Sequence, residues 1–335
     1  MALATGAIHP AQEGYPNDNY LPVDSVGVVR VAVEEVKVFD EPGYQSDEVR
    51  TVQRDQLLYV YDKLLSPLGP SFNPYWYRVD GGYIHTAYMQ PVQTILNEPS
   101  YRIKEGGQIA EVTVPVTQSM RYSKTFGWQP LYRLYYQSVH WVTNVGYGQN
   151  LTPWYEITDD LLKVTYHVPA KHMRLIPDHE ITPIGEYVPL EEKYIFVNIK
   201  HQSLTAFEGD DIVLHTEVST GIPAVVETLN GVDTATPRGN FNIEAKVPVR
   251  HMGDGAMTSD INAYELPGVP WVSFFHGTGV AFHGTYWHDN YGNEMSHGCV
   301  NMRMHEAKWL WRWTQPVIKP GEWIKNGFGS QVFVV

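Results

Sequence analysis

Strand-like alternation dominates this chain, and helical periodicity is confined to one stretch near its end. Between residues 26 and 92, apolar and polar positions follow one another in short runs: Val28-Val29-Arg30-Val31-Ala32-Val33, Val36-Lys37-Val38-Phe39-Asp40 and Leu57-Leu58-Tyr59-Val60-Tyr61. A period of two sends successive side chains to opposite faces, which is the pattern of half-buried strands. Asp40-Glu41-Pro42-Gly43 supplies a turn between the second and third runs. Five or so such strands predict a small antiparallel barrel. Further on, Lys193-Tyr194-Ile195-Phe196-Val197-Asn198-Ile199, Ser203-Leu204-Thr205-Ala206-Phe207-Glu208 and Ile212-Val213-Leu214-His215-Thr216-Glu217-Val218 predict a β-meander, with a turn at Gly209-Asp210-Asp211. Strands are also predicted at 272–275 and 280–282. Glu306-Ala307-Lys308-Trp309-Leu310-Trp311-Arg312-Trp313, ahead of Pro316, is the clearest helical signal in this part of the chain.

A weak internal repeat runs through the first half. Pro74-Tyr75-Trp76-Tyr77-Arg78-Val79 returns in outline as Pro153-Trp154-Tyr155-Glu156-Ile157. Ile84-His85-Thr86-Ala87-Tyr88-Met89 is echoed by Val168-Pro169-Ala170-Lys171-His172-Met173. The first copy, with its Trp-Tyr-x-Val followed by Gly-Tyr-Ile-His, resembles the bacterial SH3-like modules found on cell-wall enzymes; the second reads as a divergent copy. Polar, Pro- and Gly-rich stretches mark the joints. The expected organisation is a tail at 1–24, an SH3-like domain at 25–93, a linker at 94–112 carrying Glu105-Gly106-Gly107, a second divergent SH3-like domain at 113–180, a linker at 181–192 and a last domain at 193–335. Residues 249–270, with Met252, Met257 and Tyr264, read as a long Gly- and Pro-containing loop of the kind that covers a site.

Composition agrees with a mainly β protein: 28 glycines, 23 prolines, 22 tyrosines and 10 tryptophans favour short strands and frequent turns. A net charge of −13 argues against nucleic acid and against an anionic membrane surface as partners. No run approaches about 18 apolar residues, so no transmembrane helix is predicted. The start, Met-Ala-Leu-Ala-Thr-Gly-Ala-Ile-His-Pro, has neither a basic leader nor a full apolar stretch and does not read as a secretory signal; a chain whose signal had been removed would look the same.

The chemistry concentrates around Ser296-His297-Gly298-Cys299-Val300-Asn301, which holds the one cysteine among 335 residues. One histidine stands two positions before it, and another, in Phe282-His283-Gly284-Thr285, stands sixteen before. A free thiol with a pKa of ~8.5 is only a few per cent ionised at neutral pH, and an imidazole can take its proton. Lowering the thiol pKa by about two units needs roughly 2.7 kcal/mol, which one well-placed imidazolium can supply; that lowering is expected here. Three other readings compete. A lone cysteine is often a small buried apolar residue. His276, His283, His288, His297 and Cys299 fall within a span that a three-ligand zinc could use, although a structural zinc wants paired thiols. Ser296 lacks the G-x-S-x-G setting of a serine nucleophile. The reading adopted needs no metal and no cofactor.

These residues carry a resemblance. Ser219-Thr220-Gly221, Thr236-Pro237-Arg238-Gly239, His283-Gly284-Thr285 and Ser296-His297-Gly298-Cys299-Val300-Asn301, followed by the Trp-rich helix, stand in the order seen in bacterial L,D-transpeptidases, and residues 193–335 resemble their catalytic domain. The resemblance implies a β-sandwich-like domain with one or two short helices, preceded by the two barrels. It implies Cys299 as nucleophile, His283 as base oriented by the carbonyl of Gly284, His297 as a second imidazole, and the N–H groups of Gly298 and Cys299 as oxyanion donors. Ser296 and Asn301 would brace the loop or touch substrate. Arg303 would meet a substrate carboxylate; some relatives carry Arg where this chain has Asn301. His276, Tyr264 and Trp287 would line the pocket, with His288 and Tyr291 nearby. The implied partner is a peptidoglycan stem peptide, outside the cytoplasm in the wall or periplasm, with the protein as a monomer. Two alternatives stand beside transfer: an L,D-carboxypeptidase or other cysteine amidase that gives the same thioester to water, and a non-catalytic wall-binding protein.

Overall fold

The computed structural model describes residues 22, 24–148, 151–224, 234–261 and 263–335. The expected tail at 1–24 therefore lies almost wholly outside the described residues. The chain divides into two compact units: residues 1–176 with 251–268 and 286–289, and residues 177–250 with 269–285 and 290–335.

The first unit contains two barrel-like regions. In one, a three-stranded sheet ordered Leu57–Val60, Gly27–Val31, Met89–Val92 faces a five-stranded sheet ordered Glu48–Gln53, Glu35–Phe39, Gly82–His85, Tyr75–Val79, Asp62–Leu65. Their alternate residues meet in a core that includes Val29, Val38, Val60, Ile84 and Met89. Glu48–Gln53 escapes sequence reading because five of its six side chains are exposed and give no alternation. The other region is one seven-stranded sheet. Its strand Gln108–Val112 falls inside the segment expected as a linker. Gly106 and Gly107 have φ of +82° and +98°: they form a tight turn into a strand, which sequence alone does not separate from a flexible joint.

The weak repeat has a structural counterpart. Tyr75–Val79 and Gly82–His85 lead into a single 3₁₀ turn, Thr86–Tyr88, and then buried Met89. Pro153–Thr158 and Thr165–Pro169 lead likewise into Ala170–His172 and buried Met173. One buried cation ties the two regions together. Arg30, on Gly27–Val31, donates to Asp55 Oδ1 (2.9 Å) and Gln90 Oε1 (2.8 Å) and lies 4.0 Å from the ring of Tyr135 in the seven-stranded sheet. Arg133 reaches the other oxygen of Asp55 at 2.7 Å. A guanidinium with its donors met by a carboxylate, an amide and an aromatic face holds two small barrels as one body.

Residues 249–270, expected as a loop, are strand at both ends, in Ala245–Gly253 and Glu265–Phe274, with non-strand residues between them. Pro267, Gly268 and Pro270 disguise the second strand, and its burial on both faces removes the alternation. Within the first unit, the 251–268 segment is anchored by His251, whose Nδ1 lies 2.6 Å from Asp159 and whose Nε2 lies 2.7 Å from Glu265. The His251 N–H donates to Asp160, and the Tyr132 hydroxyl donates to the Ala256 carbonyl.

The second unit is built on two five-stranded sheets. One runs Asp211–Glu217, Ser203–Glu208, Lys193–Asn198, Gln331–Val334, Gly239–Asn242; the last strand of the chain pairs in parallel with the first strand of this unit, so its two ends are zipped together. The other runs Val300–Met302, Ala281–Gly284, Glu265–Phe274, Ala245–Gly253, Lys325–Asn326. Phe241 lies 5.8 Å from Phe275, which lies 4.7 Å from Phe282. The helix Met304–Trp313 buries Ala307, Leu310 and Trp311 on one stripe. Its C-terminal carbonyls are met by two buried lysines: Lys193 Nζ to Trp313 (3.0 Å) and Lys246 Nζ to Thr314 (2.7 Å). Burial, then the neighbouring Lys193 charge, pushes the Lys246 pKa down to about 7. Among the described residues no helix is long and apolar enough to cross a membrane.

Candidate active site

Strand pairing places the segments that carry the thiol and the imidazole side by side. Ala281–Gly284 and Val300–Met302 are neighbouring parallel strands, with Phe282 opposite Val300 and His283 opposite Asn301. Paired side chains in a ladder share a face, and faces alternate along a strand. His283 and Asn301 therefore share a face, and Cys299 stands two residues before Asn301, immediately ahead of the strand. His283 is 2% exposed, and its Nδ1 lies 3.1 Å from the carbonyl of Gly284. A carbonyl only accepts, so Nδ1 carries the proton and Nε2 is the unprotonated, basic nitrogen.

The loop that carries Cys299 is braced from several sides. Ser296 Oγ accepts from the Gly298 N–H at 3.1 Å and donates to the Cys299 carbonyl at 2.5 Å. Gly298 has φ of +117°, which a side chain at this position would strain. Ser219 and Asn301 exchange backbone hydrogen bonds of 3.0 and 2.8 Å, and Gly221 bridges to Ser296. Gly221 fits here only because it lacks a Cβ, which would stand 2.7 Å from the N and Cα of Gly298. Thr236 Oγ accepts from the Gly221 N–H and donates to the Gly298 carbonyl, both at 2.8 Å. Gln202 holds Thr220 through both its amide groups. The motifs flagged Ser219-Thr220-Gly221 and Thr236-Pro237 as landmarks; that they clamp the cysteine loop, and that Gln202 supports them, was not readable from sequence.

The electrostatics overturn one expectation. The thiol pKa is not lowered: although Cys299 is only half-buried as a residue, loss of hydration around its sulfur pushes the thiol up to about 11, against a smaller opposing effect of the Ala281 N–H. Burial likewise pushes His283 down to about 4, the contact with the Gly284 carbonyl opposing it. At neutral pH the thiol and the imidazole are both uncharged. The sulfur lies 4.0 Å from the carbonyl of Gly279. A second correction concerns Gly298, whose N–H is engaged by Ser296 and does not point outward as an oxyanion donor.

The other expected residues are less uniformly placed. His297 is exposed on the cysteine loop. His276 stands on the same 276–279 turn as Gly279, with its ring edge-on to Phe241 at 5.2 Å and its Nδ1 2.8 Å from Thr278. Arg303 is engaged: it pairs with Glu217 at 3.0 Å, contacts Thr216 at 3.3 Å and lies 4.6 Å from the Tyr291 ring. It sits just ahead of the helix, and its partners compete with a substrate carboxylate. Tyr264 and Trp287 belong to the first unit, as does buried His288, whereas buried Tyr291 belongs to the second and donates to the Met302 carbonyl.

Fold and site together define a class: a mainly β catalytic domain organised around one cysteine. Residues 192–326 match the family model described as the L,D-transpeptidase catalytic domain (YkuD). The matched region is similar to L,D-transpeptidase catalytic domains, and the match covers less than half of the whole sequence. YciB of Bacillus subtilis (strain 168), a protein named for the L,D-transpeptidases, is 24% identical over 139 residues, which span 38% of this chain and 64% of that protein. Among solved structures, the catalytic domain of the Enterococcus faecium L,D-transpeptidase is 27% identical, covering 43% of this chain and 98% of that one with a TM-score of 0.31. An L,D-transpeptidase from Mycobacterium smegmatis is 24% identical, covering 43% and 58%, with a TM-score of 0.33.

Proposed function

We propose that the protein is a peptidoglycan L,D-transpeptidase working outside the cytoplasm, with Cys299 as nucleophile and His283 as base. The observation that supports this most is the parallel pairing of Ala281–Gly284, which carries His283, with Val300–Met302, which directly follows Cys299. The substrate is a tetrapeptide stem, attacked at the carbonyl between the L-centre of its diamino acid and the terminal D-alanine. Because neither group is ionised at rest, the proton leaves sulfur for His283 Nε2 as the C–S bond forms. The carbonyl π electrons move to oxygen. When they return, the C–N bond breaks, the imidazolium protonates the departing D-alanine nitrogen, and a thioester remains. An amine of a neighbouring stem then attacks the thioester, the C–S bond breaks, and the amine's proton passes through His283 to the departing thiolate, which restores the thiol.

The barrels of the first unit are read as SH3-like wall-binding modules, supported by the repeated strand–strand–3₁₀–Met arrangement. Mass spectrometry of the purified chain with tetrapeptide muropeptides tests the reaction. A cross-linked dimer, with loss of D-alanine and an acyl adduct on Cys299, is expected; the Cys299→Ala variant should bind without turnover, and a carbapenem should add its mass to Cys299 alone. Trimmed monomer without dimer would turn the reading towards a carboxypeptidase. No adduct at all would leave a wall-binding protein.

A further inference from the structure

Thr236 is 3% exposed, and both hydrogen-bonding capacities of its hydroxyl are spent on the cysteine loop and the strand beside it. It accepts from the Gly221 N–H and donates to the Gly298 carbonyl, each at 2.8 Å. In a trans peptide unit the carbonyl and the N–H that follows point in opposite directions. With the Gly298 carbonyl drawn onto Thr236, the Cys299 N–H on the far side of the same peptide is turned away from it. The preceding peptide is also fixed, since the Gly298 N–H is bound to Ser296 Oγ at 3.1 Å. The left-handed φ of Gly298, +117°, lets these two successive peptides face different ways.

We infer that Thr236 is a positioning residue for the oxyanion site: by holding the Gly298 carbonyl it aims the Cys299 N–H at the carbonyl oxygen under attack, while the Gly298 N–H serves the loop. The inference rests on the acyl-transfer reading above. It assigns the Thr-Pro-x-Gly landmark a task in the chemistry, forty-odd residues from the nearer of the two reacting side chains in sequence. The negative charge that develops on the substrate oxygen meets a donor that is already oriented, so no loop rearrangement is needed during the attack.

The test compares two reactions of the same sulfur in the full chain. Acylation by a tetrapeptide muropeptide or a carbapenem builds charge on an oxygen; alkylation by iodoacetamide displaces iodide from a saturated carbon and builds none. The Thr236→Val variant keeps the size and loses the hydroxyl. It is expected to acylate about 100- to 1000-fold more slowly, as when one oxyanion donor is lost, with its alkylation rate within about two-fold of wild type and its affinity for the peptide unchanged. Thr236→Ser restores acylation. Should the valine variant fail to fold, Thr236→Ala, which leaves room for a water in the hydroxyl's place, carries the same comparison with a smaller loss. Acylation and alkylation falling together, or acylation unaffected, overturns the inference. Wild-type protein that alkylates at Cys299 but never acylates overturns the proposed function itself, and the inference with it.

Discussion

His251 and His283 are buried to the same degree, each 2% exposed, yet the protein shifts their pKa values in opposite directions. Burial works against charge on both rings. At His251, hydrogen bonds and charges from Asp159 and Glu265 outweigh that cost and hold the pKa above its ordinary value. At His283 the contact with the Gly284 carbonyl is too weak an offset, and the pKa falls to about 4. Depth alone therefore does not decide what a histidine does. A ring between two carboxylates is favoured as a cation; a ring whose Nδ1 proton is held by a carbonyl keeps Nε2 unprotonated. The first arrangement suits a structural anchor and the second suits the base of the proposed reaction.

The largest expected effect separates these uses by activity. His283→Ala should slow acylation of Cys299 by about a thousand-fold or more while costing only about 1–3 kcal/mol of stability. Rates by mass spectrometry and urea denaturation on one preparation check both halves. Replacing His251 should invert the result. His251→Leu leaves Asp159 and Glu265 buried without their cation and is expected to cost about 3–5 kcal/mol, read as a shifted urea midpoint.

The pH dependence sharpens the contrast further, because the two signs differ. The folded pKa of His251 is raised, so its contribution is fully present below about pH 6.5 and is lost as pH rises through the folded value. That of His283 is lowered, so its contribution is present above about pH 6.5 and is lost as pH falls towards 4, a change on the order of 3 kcal/mol. Stability differences between wild type and each variant, followed from pH 4 to 9, should therefore slope in opposite directions; parallel slopes would contradict the assignment. The smallest effect concerns the sulfur. Its alkylation rate should keep climbing towards pH 11, without the plateau near pH 6–7 that a preformed thiolate–imidazolium pair would give.

Much of this molecule was legible from local pattern. The meander at 193–217, the terminal helix and the barrel strands with clean alternation follow from a period of two or 3.6, because each residue there faces either core or water. Gln108–Val112 and Glu265–Phe274 were not legible. The first hides behind a glycine turn that looks like a joint, and the second is buried on both faces and interrupted by proline. At the site, the order of motifs nominates Cys299 and His283, since reactive side chains are written in the sequence as residue types.

Charge state and orientation were decided elsewhere. Whether the thiol is acidic depends on how much water reaches the sulfur, and packing pushed its pKa up where neighbouring histidines in sequence implied a fall. Which N–H faces a substrate depends on Thr236, a hydroxyl 62 residues from the carbonyl it holds. That two barrels form one body depends on Arg30 finding Asp55, Gln90 and Tyr135. Chemistry that resides within one side chain is determined by the sequence alone. Hydration, ion pairing and the direction of a peptide dipole are properties of neighbours in space, and only the folded chain chooses those neighbours.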